Sequence, residues 1–580
     1  MIFGEERPCV VLRRHYTEIY ELQGEELQEE VAAKSHYVNL WRDLRMDLVP
    51  FKVTDHKLTK AVAKLKRNKS SPDGLTAEMY AGLPPEVFAS LATFFTALMA
   101  SLIIPEEWTV ASASLAPKVL AAACLSKFRA ISCLTTARKL LGYLWMQTLP
   151  DLHFRSFQTG FIPGGHAAFG VFALNRAAEL SREWAQEVYV AQLDLKKAFD
   201  RVKHTAVIRA LKLQGASLQC VALICALLGQ SEISVSLGPF SSPSIPMHRG
   251  LPQGAPESPL LFVLVTDMVL RILMGRWEAR GSGWRLDSLW LCAICYADDI
   301  ILISSSKADL ERMVSETIAG FQDVGLDVGA DKTHWTSWPA ALGSTLRAGR
   351  CDVSWSPHLT FVGGVVNLAG NCGPAIDLRI AQATKVFHRW KKLLLCRWIP
   401  RSRRIALLLK TVFVSLLWLA ATWTPTKKQR QFLDSWGART AARVARVRRN
   451  VLDDVGQHWR RLHREGHRLL RAAGGGIQSM RLVLLHRFAG HVARLRPGEI
   501  PLALRTRCLS WWRYHQRRYN GRRDGMHPRR FKVARWESQM VDVYGEVENE
   551  DITVDAGWIL EAQDRGAWKA REGAFAARVF

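Results

Sequence analysis

Three aspartates stand where two apolar runs end or break, and this placement suits metal-dependent phosphate chemistry. The run at residues 188–195 predicts a strand that carries Asp194 near its end. A second apolar run, residues 289–304, is interrupted by Asp298 and Asp299, which predicts a hairpin with both carboxylates at its tip. Carboxylates gathered in this way can share two cations about 3.5–4 Å apart, as phosphoryl transfer by two metals requires.

Each aspartate also has a plainer interpretation. Asp is common in hairpin turns, so Asp298 with Asp299 is equally consistent with an ordinary turn. Asp194 alone is consistent with the cap of a helix that follows its strand. Their occurrence in this order, with apolar flanks, favours a shared site over separate structural roles.

The segments around these aspartates predict an α+β fold. Residues 57–149 show helical patterning, the two strand runs follow, and residues 249–259 between them form a loop rich in Gly and Pro. The glycines of this loop permit close approach of the backbone to a ligand, and its prolines stiffen the turn. After about residue 373 the pattern is helical and rich in Arg to about residue 495.

The composition predicts a folded, intracellular protein with a polyanionic partner. Of the 580 residues 48% are hydrophobic and 23% are charged, which excludes a disordered chain. The net charge is +26, with much of the Arg excess at residues 388–535, and such an excess favours phosphate binding. The 11 cysteines are scattered, which indicates a reducing compartment, and we expect the nucleus or cytoplasm, within a ribonucleoprotein.

The sequence predicts no membrane-spanning segment. The N-terminus lacks the apolar core of a signal peptide. The most membrane-like run, residues 405–422, is short and contains Lys410, so we expect a buried helix there and no membrane partner.

A basic aromatic stretch near the C-terminus is a candidate surface for single-stranded nucleic acid. Aromatic rings offer stacking planes for bases and arginines neutralise phosphates, although a packed helix accounts equally well for the pattern. The candidate residues are Trp511, Trp512, Arg513, Arg517 and Arg518.

Three short motifs occur in a fixed order. Residues 193–200 are LDLKKAFD, residues 249–259 are RGLPQGAPESP and residues 296–299 are YADD. In this order they resemble motifs A, B and C of the reverse transcriptases of non-LTR (LINE-like) retrotransposons. Weaker matches to other motifs of that family lie at residues 68–78, 115–118, 128–132, 158–164, 325–333 and 361–363.

The resemblance implies a right-hand polymerase, with fingers, a palm built on an antiparallel sheet and a thumb, followed by a helical basic C-terminal region. The implied segments are an N-terminal extension of unknown function at 1–54, fingers at 55–157, palm at 158–365, helical thumb at 366–495 and a basic, aromatic region with a polar tail at 496–580. Its partners would be an RNA template, a DNA primer or target, and dNTPs.

The resemblance also implies the roles of the three aspartates. Asp194 and Asp298 would bridge two Mg²⁺ ions, which Mn²⁺ could replace, and Asp299 would support the site. The primer 3′-hydroxyl would then attack the α-phosphate of the dNTP with loss of pyrophosphate.

Other residues are assigned to the nucleotide by the same resemblance. Lys118 and Arg129 would hold the triphosphate, and Lys332 would act as a general acid or phosphate contact. Phe199 would stand against the sugar 2′ position, and Gln253 would line the nucleotide pocket. Asp200 would order the motif A turn.

Some positions depart from the family pattern. Ala130, Ile162 and Glu257 occupy places where Pro, Arg and Leu are usual. Two alternatives therefore stay open, namely a non-catalytic RNA-binding relic and a group II intron or retron-type reverse transcriptase. About seventy residues precede the fingers, so we expect the nick in target DNA to come from elsewhere. Template preference and oligomeric state have no sequence signal.

Overall fold

The computed structural model describes most of the chain as two compact units, each assembled from segments distant in sequence. The described residues are all except 1–5, 70, 119–121, 155–157, 163, 184, 287–288, 330–331, 350, 449, 451–452, 496–535, 537, 545–556 and 580. The first unit contains residues 1–163, 194–276 and 315–329, and the second contains residues 164–193, 277–314 and 330–580. The predicted boundaries of fingers, palm and thumb stay predictions.

Helices and strands are numbered in chain order. The α-helices are α1 (Pro8–Tyr20), α2 (Gly24–Leu44), α3 (Asp55–Lys64), α4 (Ala77–Ala81), α5 (Pro85–Ser101), α6 (Thr136–Trp145), α7 (Ala167–Glu183), α8 (Ala198–Arg201), α9 (His204–Leu213), α10 (Leu218–Gly229), α11 (Ser258–Arg280), α12 (Lys307–Asp323), α13 (Gly373–Leu394), α14 (Arg401–Leu408), α15 (Val414–Leu416), α16 (Lys427–Ala445), α17 (Val455–Ala472), α18 (Ile477–Ala493), α19 (Ser538–Tyr544), α20 (Gly557–Glu561), α21 (Arg565–Ala570) and α22 (Glu572–Val579). The strands are β1 (Val110–Pro117), β2 (Phe128–Cys133), β3 (Val188–Lys196), β4 (Glu232–Leu237), β5 (Phe240–Ser241), β6 (Ile245–Pro246), β7 (Trp284–Leu286), β8 (Leu289–Leu291), β9 (Ala293–Tyr296), β10 (Asp299–Ser304), β11 (Asp327–Val328), β12 (His334–Trp338), β13 (Thr345–Ala348), β14 (Cys351–Trp355), β15 (Leu359–Phe361) and β16 (Gly364–Val366).

A small sheet in the first unit has the order β2-β1-β4-β5, with β6 paired to β4. Strand β1 runs antiparallel to β2 and parallel to β4. Residues alternate between exposed and buried along β1 and β2, which is the pattern of a sheet covered on one face. Helix α1 covers that face with an i, i+4, i+7, i+8 stripe. The stripe consists of Leu12, Tyr16, Ile19 and Tyr20.

Helix α11 is the long apolar helix of the chain. By length and composition it could cross a membrane, but 78% of its most apolar window is buried within the protein. Burial of this kind is typical of a core helix, and the buried Asp267 carboxylate of this helix pairs with the half-buried Arg271.

The main sheet of the second unit has the order β13-β14-β12-β3-β10-β9. Residues 188–192 of β3 pair antiparallel with β12, and β9 pairs antiparallel with β10. The sheet becomes mixed toward its edge because β14 runs parallel to β12. The α+β class and the largely antiparallel palm sheet predicted from the sequence are confirmed.

Helices α13 to α18 follow the sheet and share a core of their own. Residues 405–422 are largely buried here as predicted, with Lys410, Val414 and Trp418 exposed, but they do not form the single helix that we expected. The segment passes from α14 through a π-helix at Leu409–Phe413 to α15, and Leu419 adopts a left-handed conformation before a 3₁₀ turn. The widened and tightened turns break the regular helix.

Candidate active site

The predicted hairpin is present, but only Asp298 lies in its turn, because Asp299 is the first residue of β10. Tyr296 pairs with Asp299, so Ala297 and Asp298 form a two-residue turn between β9 and β10. Ala297 has a φ of +56°, a left-handed value of the kind that tight hairpin turns require. The strand residues on both sides are buried, whereas Asp298 is exposed at the tip and Asp299 is half-buried. Such burial fixes the register and therefore the direction of the tip.

A second hairpin holds Asp299. Strands β15 and β16 are joined by Val362 and Gly363, and the backbone N–H of Val362 donates to Asp299 Oδ2 at 3.2 Å. The same turn is bonded from the helical region: Trp418 Nε1 donates to the Val362 carbonyl at 3.1 Å, and Arg379 donates to the Gly363 carbonyl. The backbone of this turn thus orients Asp299, and its supporting role at a metal site stays a prediction.

Motif A continues a strand of the main sheet. The chain passes from the second unit into the first between Leu193 and Asp194, so Asp194 belongs to the first unit and the hairpin aspartates to the second. The Asp194 carbonyl accepts from the Gly329 N–H at 2.7 Å, and the next two residues pair with β11. Lys197 then turns the chain in a left-handed conformation, with φ of +47°, into α8. The predicted change from strand to helix is confirmed.

The motif B loop lies against motif A and against strand β2, all within the first unit. The backbone N–H of Leu251 donates to the Phe199 carbonyl at 2.7 Å, and that of Ser132 donates to the Gln253 carbonyl at 2.8 Å. A Cβ at Gly250 would overlap the Asp200 backbone, and a Cβ at Gly254 would overlap the Ser132 carbonyl. The glycines of this loop are therefore needed for approach to two other chain segments.

Gln253 of motif B contacts motif A through Asp200. Gln253 Nε2 donates to Asp200 Oδ1 at 2.7 Å, and burial raises the pKa of the Asp200 carboxyl. The Phe199 ring is half-buried and stacks on the buried ring of Phe262 with centroids 4.7 Å apart. Phe199 is therefore held against helix α11. A residue that excludes a sugar 2′-hydroxyl by its bulk needs such a fixed orientation.

Two of the predicted triphosphate contacts lie at neighbouring strands of the small sheet in the first unit. Lys118 directly follows β1, and its backbone N–H donates to the Lys127 carbonyl at 2.8 Å. Arg129 lies on β2 opposite Ala116. Both side chains are exposed. The third predicted cation, Lys332, is exposed and lies two residues before the first residue of β12, in the second unit. The phosphate roles of all three stay predictions.

The departure at Glu257 has a structural partner. The buried Glu257 carboxylate accepts from the buried guanidinium of Arg138 on α6. An isolated charge at this depth would be costly, so the pair explains how a carboxylate replaces the usual Leu. Sequence reasoning missed Arg138 because 119 residues separate the partners.

The oxygen donors of the three aspartates match the preference of Mg²⁺. Within the described part of the chain, however, no group of three or more His, Cys, Asp or Glu side chains is arranged to hold a metal ion. The predicted nucleic-acid residues Trp511, Trp512, Arg513, Arg517 and Arg518 lie outside the described residues.

Residues 117–366 match the family model described as reverse transcriptase (RNA-dependent DNA polymerase). The chain is 28% identical over 301 residues to the Pol polyprotein of the type-1 retrotransposable element R2 of Nasonia vitripennis, covering 51% of this chain and 27% of that protein. It is 26% identical to the Pol polyprotein of the type-2 element R2DM of Drosophila melanogaster, covering 45% and 24% of the two chains. The chain thus spans about a quarter of the length of these relatives.

A further relative is the 149 kDa protein of transposon TX1 of Xenopus laevis, 23% identical over 70% of this chain and 30% of that protein. Among solved structures, apo telomerase from Candida tropicalis, truncated from its C-terminal domain, has a TM-score of 0.33 with 14% identity, covering 53% of this chain and 63% of that one. The same organism's telomerase with a fragment of telomeric RNA has a TM-score of 0.35 with 12% identity, covering 74% and 68%.

Proposed function

Because residues 117–366 belong to the reverse transcriptase family, we propose that this chain is the RNA-directed DNA polymerase of a non-LTR retrotransposon. The observation that carries the proposal is the YADD hairpin, with Asp298 exposed at its tip and Asp299 fixed by the backbone of the neighbouring turn. An ordinary surface turn would need neither buried strands on both sides nor a second hairpin to orient one carboxylate.

Asp194, Asp298 and Asp299 would supply the carboxylate ligands for two Mg²⁺ ions. When bound, such ions lower the pKa of the primer 3′-hydroxyl and offset the charge that develops on the departing pyrophosphate. The role of the chain is to hold carboxylates on rigid elements, since Asp194 is on a sheet strand and the other two are on a buried hairpin.

The remaining assigned residues bind and select the nucleotide. Lys118 and Arg129, exposed on neighbouring strands, would attract the triphosphate. Phe199 and Gln253 would contact the sugar and base from motifs A and B. Lys332 would donate a proton or contact phosphate.

The partners of the proposed enzyme are an RNA template and a DNA primer or target. The net charge of +26 supports a nucleic-acid partner, and the basic aromatic residues 511–518 would extend its surface. We place the enzyme inside the cell as part of a ribonucleoprotein.

Primer extension tests this proposal. The purified chain should extend a DNA primer on an RNA template in Mg²⁺, and Asp298→Asn should reduce the rate by roughly a hundredfold or more, since it removes the charge of a metal ligand. RNA binding should be nearly unchanged because the substitution alters little volume. Asp377→Asn, which makes the same change at an exposed position on α13, is the matched control and should extend normally.

Two results would count against the proposal. Substantial extension by Asp298→Asn would remove this residue from the metal site. A parent protein that binds RNA but extends no primer would indicate a non-catalytic relic of such an element.

A further inference from the structure

The N-terminal helices contact the motif A and B residues within the first unit. At the end of α1 the Tyr20 hydroxyl donates to Asp200 Oδ1 at 3.1 Å. Gln253 Nε2 donates to the same oxygen at 2.7 Å. One carboxylate oxygen of motif A therefore joins a tyrosine of the N-terminal extension to the glutamine of motif B.

Hydrogen bonds of backbone and side-chain groups join the end of α1 to the chain that enters motif B. The His248 N–H donates to the Tyr20 carbonyl at 3.1 Å, and the Leu22 N–H donates to His248 Nδ1 at 3.2 Å. Arg249 donates from Nε to the Ile19 carbonyl at 2.6 Å. Each segment both donates and accepts hydrogen bonds. We therefore expect the end of α1 and residues 248–249 to move together.

Helix α2 makes a second connection through a buried histidine. Lys34 Nζ donates to His204 Nδ1 at 3.1 Å, and His204 Nε2 donates to the Gly250 carbonyl at 2.8 Å. Burial lowers the pKa of His204 to about 3, so its ring is neutral and can accept at one nitrogen while it donates at the other. The motif B glycine is thus held through the N-terminal extension as well.

The Tyr20 connection is buried, which makes its hydrogen bonds strong and costly to break. Tyr20 is 2% exposed, and burial raises the pKa of its hydroxyl, which stays protonated and donates. In such a low-dielectric setting each bond restricts the orientation of the next. Loss of the Tyr20 donor would remove one of the two side-chain hydrogen bonds to Asp200 Oδ1 and would therefore loosen the Gln253 amide that donates to the same oxygen.

We infer that the N-terminal extension is part of the nucleotide pocket, and that Tyr20 is a positioning residue that fixes the Gln253 amide through Asp200. The inference rests on the proposed function for what the pocket binds. It assigns a role to residues 8–44, for which the sequence alone suggests none. The extension is then required for dNTP selection even though Tyr20 itself need not touch the nucleotide.

Tyr20→Phe tests the inference, since it removes the hydroxyl and keeps the ring. Tyr16→Phe is the matched control, because Tyr16 is buried on the same helix with its ring stacked on Tyr20 at 6.2 Å. Hydrogen–deuterium exchange of the full chain, followed at residues 248–255, needs no catalytic activity. We expect about a two- to tenfold faster exchange there in Tyr20→Phe, as for loss of one hydrogen bond, and parental exchange in Tyr16→Phe.

Kinetics form the second arm. Tyr20→Phe should raise the KM for dNTP by about two- to tenfold with little change in kcat, because the carboxylates are untouched. Tyr16→Phe should match the parent in both constants.

The outcomes separate this inference from the proposed function. Unchanged exchange at residues 248–255 in Tyr20→Phe overturns the coupling, whether or not the protein polymerises. Changed exchange with an unchanged KM overturns the link to the nucleotide. A parent that extends no primer counts against the proposed function, and the exchange data still decide the coupling.

Discussion

The hairpin that carries Asp298 and the loop that carries Gln253 are positioned by different kinds of contact. In the hairpin, Tyr296 pairs with Asp299 across a two-residue turn. The two apolar strands that fix this turn are neighbours in sequence. In the loop, Gln253 bonds to Asp200, and Gly250 is held from α2 through His204. Pairing between strands close in sequence fixes the position of the hairpin, whereas segments far away in sequence fix the position of the loop.

This difference indicates how each half tolerates change. A hairpin whose register is fixed by its own buried strands needs few outside contacts. The motif B loop has no strand pairing of its own, so its conformation depends on its contacts with the two other segments. We therefore expect large effects where a distant support of the loop is removed and small ones where a distant support of the hairpin is removed.

The largest expected effect is at the buried ion pair that anchors the motif B end. Glu257→Leu installs the residue usual in the family but leaves the Arg138 guanidinium buried without its partner. Loss of one member of such a pair typically costs about 3–5 kcal/mol, and urea unfolding of the purified protein should show it.

The double variant Arg138→Met with Glu257→Leu is the control. Replacing both charges with apolar groups should restore most of the lost stability, since neither charge remains unpaired. If the single and double variants are equally unstable, packing rather than charge explains the site.

The contrast between hairpin and loop also explains what the sequence could predict. The apolar run that Asp298 and Asp299 interrupt is a local pattern, so the hairpin followed from it, whereas the position of Asp299 on β10 did not. The order of motifs A, B and C predicted the family, which the family model and the R2 relatives confirm. The strand that ends near Asp194 was also predictable from its local apolar pattern.

The supports of the loop were not predictable in this way. The stripe that includes Tyr16 and Tyr20 predicts a buried helix face, but nothing in the pattern says what it covers. The partner of Glu257 is likewise 119 residues away, and no local signal links the two. Long-range polar pairs depend on the tertiary fold, which periodicity does not encode.

An intermediate effect is expected at Phe199, where the loop meets motif A. Phe199→Ala removes a ring that would exclude a ribose 2′-hydroxyl, and steric overlap of this kind costs about 1–3 kcal/mol, or roughly ten- to a hundredfold in selectivity. Single-nucleotide incorporation with matched dNTP and rNTP measures it as a ratio of kcat/KM values. Incorporation of dNTP should fall much less than this ratio.

The stacking of Phe199 on Phe262 offers a competing explanation. If activity survives and the ratio is unchanged, Phe199 is a core residue and selectivity lies elsewhere. Phe94→Ala, at an exposed ring on α5, controls for general effects of losing a phenyl group.

The smallest effect is expected on the hairpin side, at Trp418. Trp418→Phe removes the indole donor to the Val362 carbonyl, one step from the turn that holds Asp299. Trp418 is 46% exposed, so water can replace the lost bond, and the turn keeps its own strand pairing and the contact from Arg379. We expect less than about a threefold change in the KM for dNTP, at the low end of what one hydrogen bond contributes.

The comparison with Tyr20→Phe in the same assay is decisive, because both changes remove one hydrogen-bond donor that reaches a functional side chain through one intermediate residue. An effect of Trp418→Phe as large as that of Tyr20→Phe would mean that the hairpin depends on distant contacts as much as the loop does, and the distinction between the two would fail.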